Sequence, residues 1–337
     1  MSIATELQNY NTYLTNAYNK CSDKGATIPQ NKNCQNLTST INSIKDENYF
    51  FNHTTTKNQS YAIAGLIKKL PSPITIASGT TSMTYFFHGL RNITSVDLST
   101  FDTTGVTNMD SFFSLCQSLP SITFPNTFVT SSLTSCNNMF SDCQMLTSLD
   151  LSNFNTKNVT SCSSMFSNCL RLASITFGSN FTCEKSQNFT SMFSANRQLT
   201  SLNLSTFNMR LATGCSNMFY DCRTLETLTL GNDYVLEKCN AMGNCFANCY
   251  ALTNIVGSLQ NIGQNYTSST TNYSAYKIDF SASTTLTHDS MMNIINGVYD
   301  LLSANKKRQQ LVFGTTNLAR LSSSEIAVAT NKGWNVS

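Results

Sequence analysis

Charge is scarce in this sequence of 337 residues: Asp, Glu, Lys and Arg together supply 12%, about half the usual share. A formal charge of +3 offers no clustered Lys and Arg for a phosphate backbone, and the one dense basic run, Lys306-Lys307-Arg308, reads as a solvated turn. No nucleic-acid partner is expected. Histidine is almost missing as well. His53, His88 and His288 are the three, and none stands in a motif with a nucleophile and an acid. No phosphate-binding glycine loop and no metal-ligand spacing occurs, so no cofactor, no metal and no enzyme are expected. No apolar run approaches the ~18 residues of a transmembrane helix, and no membrane insertion is expected. The first thirty residues lack a charged segment followed by an apolar one, which argues against a signal peptide and export by the general secretory route.

Ser, Thr and Asn fill the gap left by charge, while 40% apolar residues suffice for a core. The organising feature is a repeat. Aligned on the phenylalanine of Met-Phe-x-x-Cys, Phe87, Phe113, Phe140, Phe166, Phe193, Phe219 and Phe246 follow in steps of 26, 27, 26, 27, 26 and 27 residues. Such a period outranks any local propensity and predicts an α/β, leucine-rich-repeat-type solenoid of seven 26/27-residue coils. Odd copies close with Leu-x-Leu-Ser-x-Phe, as in Leu149 to Phe154; even copies carry one residue more, as in Ile122-Thr-Phe124-Pro-Asn-Thr-Phe128. The alternation points to a 53-residue double repeat.

Each segment of the repeat has a physical reading. Leu-x-Leu has period two, so it predicts a short strand with both leucines inward. Phe-x-x-Cys-x-x-Leu has period three and predicts a helical or 3₁₀ turn. Val106, Leu133 and Val159, with Met109, Cys136, Cys162, Phe189 and Cys215, predict a second inward wall. One coil alone buries too little to offset its chain entropy, so stability must come from stacking. Most of the thirteen cysteines fall at repeat positions, Cys116, Cys143, Cys169, Cys222 and Cys249 at one of them, which reads as buried core thiols. Asp142, Asn168, Asp221 and Asn248 precede cysteines and are expected to bond loop backbone.

Four regions follow: 1–47 as an N-terminal helical anchoring module, 48–80 as a linker and N-terminal cap, 81–258 as the solenoid, and 259–337 as a C-terminal α/β cap. Ile3, Leu7, Tyr10 and Leu14 mark the apolar face of the anchoring helix, which ends near Lys24-Gly25. Ala62 to Leu70 predicts a short helix, and Ile74-Thr-Ile76 a first strand. In the tail, the spacing predicts strands at 276–280, 311–313 and 334–336 and helices at 288–302 and 322–331, with Ser322-Ser-Ser-Glu325 as a capping box.

From Met139 to Phe154 the array resembles the BspA-like (Treponema pallidum type) leucine-rich repeats and the related mycoplasma-type surface repeats. The ends resemble phage proteins: Leu7, Ala17-Tyr18, Lys24-Gly25, Pro29, Asn36-Leu37 and Ile41 are similar to a phage tail-associated N-terminal segment. Leu286-Thr-His288-Asp-Ser, Leu318-Ala-Arg-Leu-Ser and Asn331-Lys-Gly-Trp334 are similar to phage-encoded repeat proteins of gut bacteria. These resemblances imply a non-enzymatic virion protein on tail, baseplate, fibre or head surface, assembled in the bacterial cytoplasm. It would be anchored to other virion proteins through the N-terminal module, with a host surface protein or glycan as target and a homo-oligomer possible. The alternatives are a bacterial cell-surface adhesin and a purely structural virion spacer. If the array binds a ligand, the expected surface is the outward strand face: Ser95, Asp97, Ser121, Thr123, Ser148, Asp150, Ser174, Thr176, Ser201, Asn203, Thr227 and Thr229. It has no aromatic platform for a sugar.

Overall fold

A computed structural model describes residues 79–257, 259–265 and 277–337, together with Thr15, Asn16, Asn19, Leu70, Ile74 and Ile76. The anchoring residues Ile3, Leu7, Tyr10 and Leu14, and His53 in the linker, lie outside the described residues. Five short strands come from the repeats: β1 (Ser148–Leu151), β2 (Ser174–Phe177), β3 (Ser201–Leu204), β4 (Thr227–Leu230) and β5 (Asn254–Val256). The tail adds β6 (Lys277–Asp279), α1 (His288–Gly297), β7 (Gln309–Val312), α2 (Thr315–Leu318), α3 (Ser323–Thr330) and β8 (Trp334–Val336).

Each repeat brings the chain back to the same side, so like positions pair in parallel. Ser148 faces Ser174 and Asp150 faces Thr176; Ser201 faces Thr227, which faces Asn254. Strict alternation then sends Leu149, Leu151, Leu202, Leu204, Leu228 and Leu230 into the core. On the far wall, single parallel bridges run through Ser82, Asn108, Ser135, Ser161, Asn188, Gly214 and Ala241, one per repeat. The second inward set, from Val106 to Cys215, is buried throughout.

Two expectations need correction. The stretches around Ser95, Asp97, Ser121 and Thr123 lie outside any described strand, as do Ile74 and Ile76. Pro120 and Pro125 bracket the second of these stretches, and a residue without an N–H cannot carry a ladder across. The Phe-x-x-Cys segment, moreover, is not a 3₁₀ turn. In the third repeat the amides of Met139, Ser141 and Cys143 bond three residues back, while those of Asn138, Phe140 and Asp142 bond Ser163, Met165 and Ser167 of the next repeat. Every second N–H therefore crosses between repeats, which a helical turn forbids. The flat path needs left-handed residues at two positions per repeat, such as Asn138 (φ 55) and Asp142 (φ 61). Asn and Asp tolerate that conformation at low cost. This, rather than backbone bonding, accounts for Asp142, Asn168, Asp221 and Asn248, all with φ of 61 or 62.

The aromatic core explains both periods. From Phe87 to Phe246 the repeat phenylalanines form one column of near-parallel rings, with centroids 5.0 to 5.9 Å apart. A second set forms two stacked pairs, Phe128 on Phe154 at 5.8 Å and Phe181 on Phe207 at 5.4 Å. Here the extra phenylalanine of the longer repeats intervenes: Phe124 packs edge-on against Phe154 at 5.0 Å, and Phe177 against Phe207 at 5.2 Å. Phe124 and Phe177 are 53 residues apart, so the two-repeat unit has a packing cause.

At the C-terminal end the tail forms a parallel sheet in the order β6-β7-β8, with α1 and α3 between the strands in sequence. Its helices are shorter than predicted: α1 stops at Gly297, because Val298 turns extended (φ -69, ψ 141). The Ser322–Glu325 capping box forms as expected. The first aromatic column does not end at 258. Phe280 stacks on Phe246 at 4.6 Å and Phe313 on Phe280 at 6.1 Å. Phe280-Ser-Ala-Ser283-Thr-Thr-Leu286 repeats the Phe-x-x-Cys-x-x-Leu pattern with serine for cysteine. After it, where the next strand would start, stands α1. Ser290 Oγ accepts the Ile255 N–H at 2.8 Å and Asn293 Nδ2 donates to Ile255 O at 3.1 Å, satisfying the outer edge of β5. No helix among the described residues is long and apolar enough to cross a membrane.

Candidate functional site

The strand face is polar and regular. Ser95, Asp97, Ser121, Thr123, Ser148, Asp150, Ser174, Thr176, Ser201 and Asn203 are exposed, and Thr227 and Thr229 are half-buried. Within the β1–β2 pair and again within β3–β4 the parallel register sets these side chains side by side in two columns. One column ends on an apolar residue, exposed Val256. Asp97, Asp150 and Asn203 also serve the turn that follows, accepting the Ser99, Ser152 and Ser205 N–H at 2.9 to 3.0 Å. Those bonds, from side chain and backbone of Ser152, hold the Asp150 carboxyl below its ordinary range.

The cysteines are core groups with a hydrogen-bonding job. All eleven described cysteines are free and buried. Cys116, Cys143, Cys169, Cys222 and Cys249 each donate to the carbonyl of the preceding repeat's phenylalanine, at 3.1 to 3.2 Å. In the fifth repeat Asn196 takes the cysteine position and donates to the same acceptor, Phe166 O, at 3.0 Å. Burial pushes the Cys169 and Cys249 thiols up to about 12, so they stay protonated and are poor nucleophiles. His88 is partly buried on the first repeat. Burial, then the Arg91 charge, lowers its pKa to about 4 against an opposing pull from Asp142. His288 opens α1, and its Nε2 lies 2.8 Å from Glu325 Oε1. A shallow cavity of 380 Å³ lies beside Asn261, Tyr299 and Lys332, but Lys332 is committed to the carbonyls of Asn296 and Val298.

A second exposed feature lies on the turn edge, and sequence reasoning passed over it. Asp221 is buried, and its two oxygens accept from Arg197 Nε and Arg223 Nε, each at 2.7 Å. Burial pushes the carboxyl up, but hydrogen bonds and charge from the two arginines outweigh it and hold Asp221 below the ordinary range. Tyr220 and Tyr250 are exposed beside this pair. Arg197, Arg223 and Tyr250 occupy one repeat position, directly after Asn196, Cys222 and Cys249. The repeat register could have found that row, yet the carboxylate joining two of its members comes from another position.

Residues 81–178 and 178–259 match the family described as "Mycoplasma protein of unknown function, DUF285". These two segments cover more than half of the chain. The chain belongs to this family. Among solved structures it is similar to a leucine rich cell surface protein from Faecalibacterium prausnitzii A2-165, at 18% identity and a TM-score of 0.29, over 54% of this chain and 59% of that one. The chain thus spans under two thirds of that protein's length. A leucine-rich repeat protein from Bacteroides ovatus matches at 14% identity and a TM-score of 0.21, over 76% of this chain and 87% of that one. No curated protein matches the sequence. The DUF285 segments coincide with the stacked repeats and stop at 259, before α1.

Proposed function

We propose that this DUF285 member is a non-enzymatic repeat protein that presents its array at a bacterial cell surface, where the outward strand face meets a host or neighbouring-cell protein or glycan. In this reading the solenoid of seven coils is the display element, residues 1–47 are the anchor and residues 259–337 close the far end. The carrying observation is the strand face itself: leucines inward, and outside them short polar side chains, in register within β1–β2 and within β3–β4, that are exposed on β1 to β3 and half-buried on β4. Many small donors and acceptors at one repeat spacing suit an extended, shallow contact rather than a pocket. One of the similar solved proteins is described as a cell surface protein, and the proposal extends that setting to this chain.

Protease shaving of intact cells tests it, with peptides identified by mass spectrometry and a cytoplasmic marker followed alongside. Peptides from the array released while the marker stays inside support surface presentation. Recovery only after lysis contradicts it, and recovery only in purified phage particles moves the display element to a virion.

A further inference from the structure

We infer that Arg197, Arg223 and Tyr250 form a subsite for an acidic saccharide, with a sugar ring on Tyr250 and its carboxylate or sulfate on the two guanidinium groups. This inference rests on the reading of the array as a display scaffold, but it uses the turn edge and not the strand face.

Three observations carry it. First, the arginines are preorganised. Each spends its Nε on the same buried Asp221, whose side chain is 4% exposed, while the arginine side chains are 45% and 50% exposed. Among the described residues the Nη groups have no partner, so the forks of donors face solvent in a fixed orientation. Two positive charges against one negative leave a net positive spot, and the buried carboxylate offsets the repulsion that would otherwise part the arginines. Arg favours planar anions because its fork matches two oxygens at once.

Second, the spacing fits one anion and one ring. Arg197, Arg223 and Tyr250 stand at one position of successive repeats, and the Ala251 N–H donates to Arg223 O at 3.3 Å, so neighbouring repeats run side by side at this row. The two guanidinium groups each take one oxygen of the same Asp221 carboxylate at 2.7 Å, so they lie close enough to share a second carboxylate or sulfate on their exposed side. Tyr250, 53% exposed, is the next step along the row, and its hydroxyl donates to Asn248 Oδ1 at 3.0 Å, which fixes the ring. An exposed ring held at its polar end is a stacking platform of the kind the strand face lacks.

Third, the patch is short. At the same position the four earlier repeats carry Arg91, Gln117, Gln144 and Leu170, so three uncharged positions separate Arg91 from the pair and no continuous positive row exists for a polyanion. The footprint matches one charged sugar residue.

The test is binding of sialyllactose and of sulfated lactose to the full chain, with lactose as the neutral reference. Binding of at least one acidic sugar tenfold or more above lactose is expected, the two arms telling carboxylate from sulfate. Arg223→Gln and Tyr250→Ala should each reduce that binding at least tenfold with an unchanged circular dichroism spectrum. Arg223→Lys should lose part of it, because the charge remains without the fork. Arg210→Gln, which removes an exposed arginine paired with Asp233 away from the row, should bind as the parent does. Equal binding of all three sugars overturns the inference, as does equal loss in Arg210→Gln. A chain found at the cell surface that ignores acidic sugars removes this subsite and leaves the display reading standing; binding by a chain never found outside the cell does the opposite.

Discussion

The repeats and the tail share one aromatic column but finish their outer layers differently. Between Ser148 and Val256 the repeat strands pair edge to edge in two parallel sheets, β1-β2 and β3-β4-β5. In the tail, the residues after Leu286 that would supply the next strand fold into α1 instead, and Ser290 and Asn293 meet the Ile255 backbone with side chains. A stack of identical units has no internal reason to stop, and its last edge would recruit another chain. The difference lies in few residues. A threonine N-cap at Thr287, whose side chain accepts the Ser290 N–H, starts a helix where the earlier repeats go straight on into Leu-x-Leu.

The comparison can be broken at several points. The largest effect is expected in the shared column. Phe166→Ala removes a fully buried ring stacked on both sides, at 5.7 and 5.4 Å, and should cost about 3–5 kcal/mol in chemical denaturation. If the tail belongs to the same column, Phe280→Ala should cost a similar amount and lower the midpoint of the array too. Next comes the edge. Ser290→Ala/Asn293→Ala leaves the Ile255 N–H and C=O without partners, which should cost about 1–3 kcal/mol per group. Sedimentation should then show more self-association than the parent does. The cysteine position gives a smaller effect: Asn196→Ala should destabilise by about 1–3 kcal/mol, and Asn196→Cys should recover most of it by restoring the bond to Phe166 O.

Acid titration gives the smallest signals and separates the two regions by pH. In the array, the lowered His88 pKa means the unfolded chain takes up a proton first. Stability from the neutral ring is therefore present above pH 6.5 and lost as pH falls to about 4. In the tail, hydrogen bonds from Ser322 backbone and side chain, then from His288, hold Glu325 at about 2. Its contribution is present above pH 4.5 and lost as pH falls towards about 2. His88→Gln should flatten the upper window and Glu325→Gln the lower, as read by melting temperature against pH.

Much of this was legible in the sequence, and the failures share a cause. Period and residue type were enough for the repeat register, for inward Leu149 and Leu151 and for the Ser322 capping box, because local chemistry decides each. The Phe-x-x-Cys segment was misread as 3₁₀ because spacing cannot tell an N–H that bonds within a repeat from one that bonds the next. Phe280 and Ser283 escaped notice because serine replaced cysteine; the position holds a short donor, but Asn196 reaches Phe166 O whereas Ser283 donates to Cys249 O at 2.9 Å. The Arg197–Asp221–Arg223 cluster was hidden because Asp221 was expected to bond loop backbone, whereas it binds arginines of its own and the previous repeat. The strand face was legible as a pattern, while what it contacts was not, since small polar side chains carry no signature of a ligand.

The account turns on the tail being the closing part of the same stack. Hydrogen exchange followed by mass spectrometry across a denaturant series tests this most directly, by comparing peptides covering Phe166, Ile255 and Phe280. The account predicts one opening transition shared by all three, with the Ile255 amide protected until α1 is lost. Exchange of residues 277–337 at low denaturant, with Ile255 and Phe166 still protected, would show a separate unit resting beside the array and would contradict it.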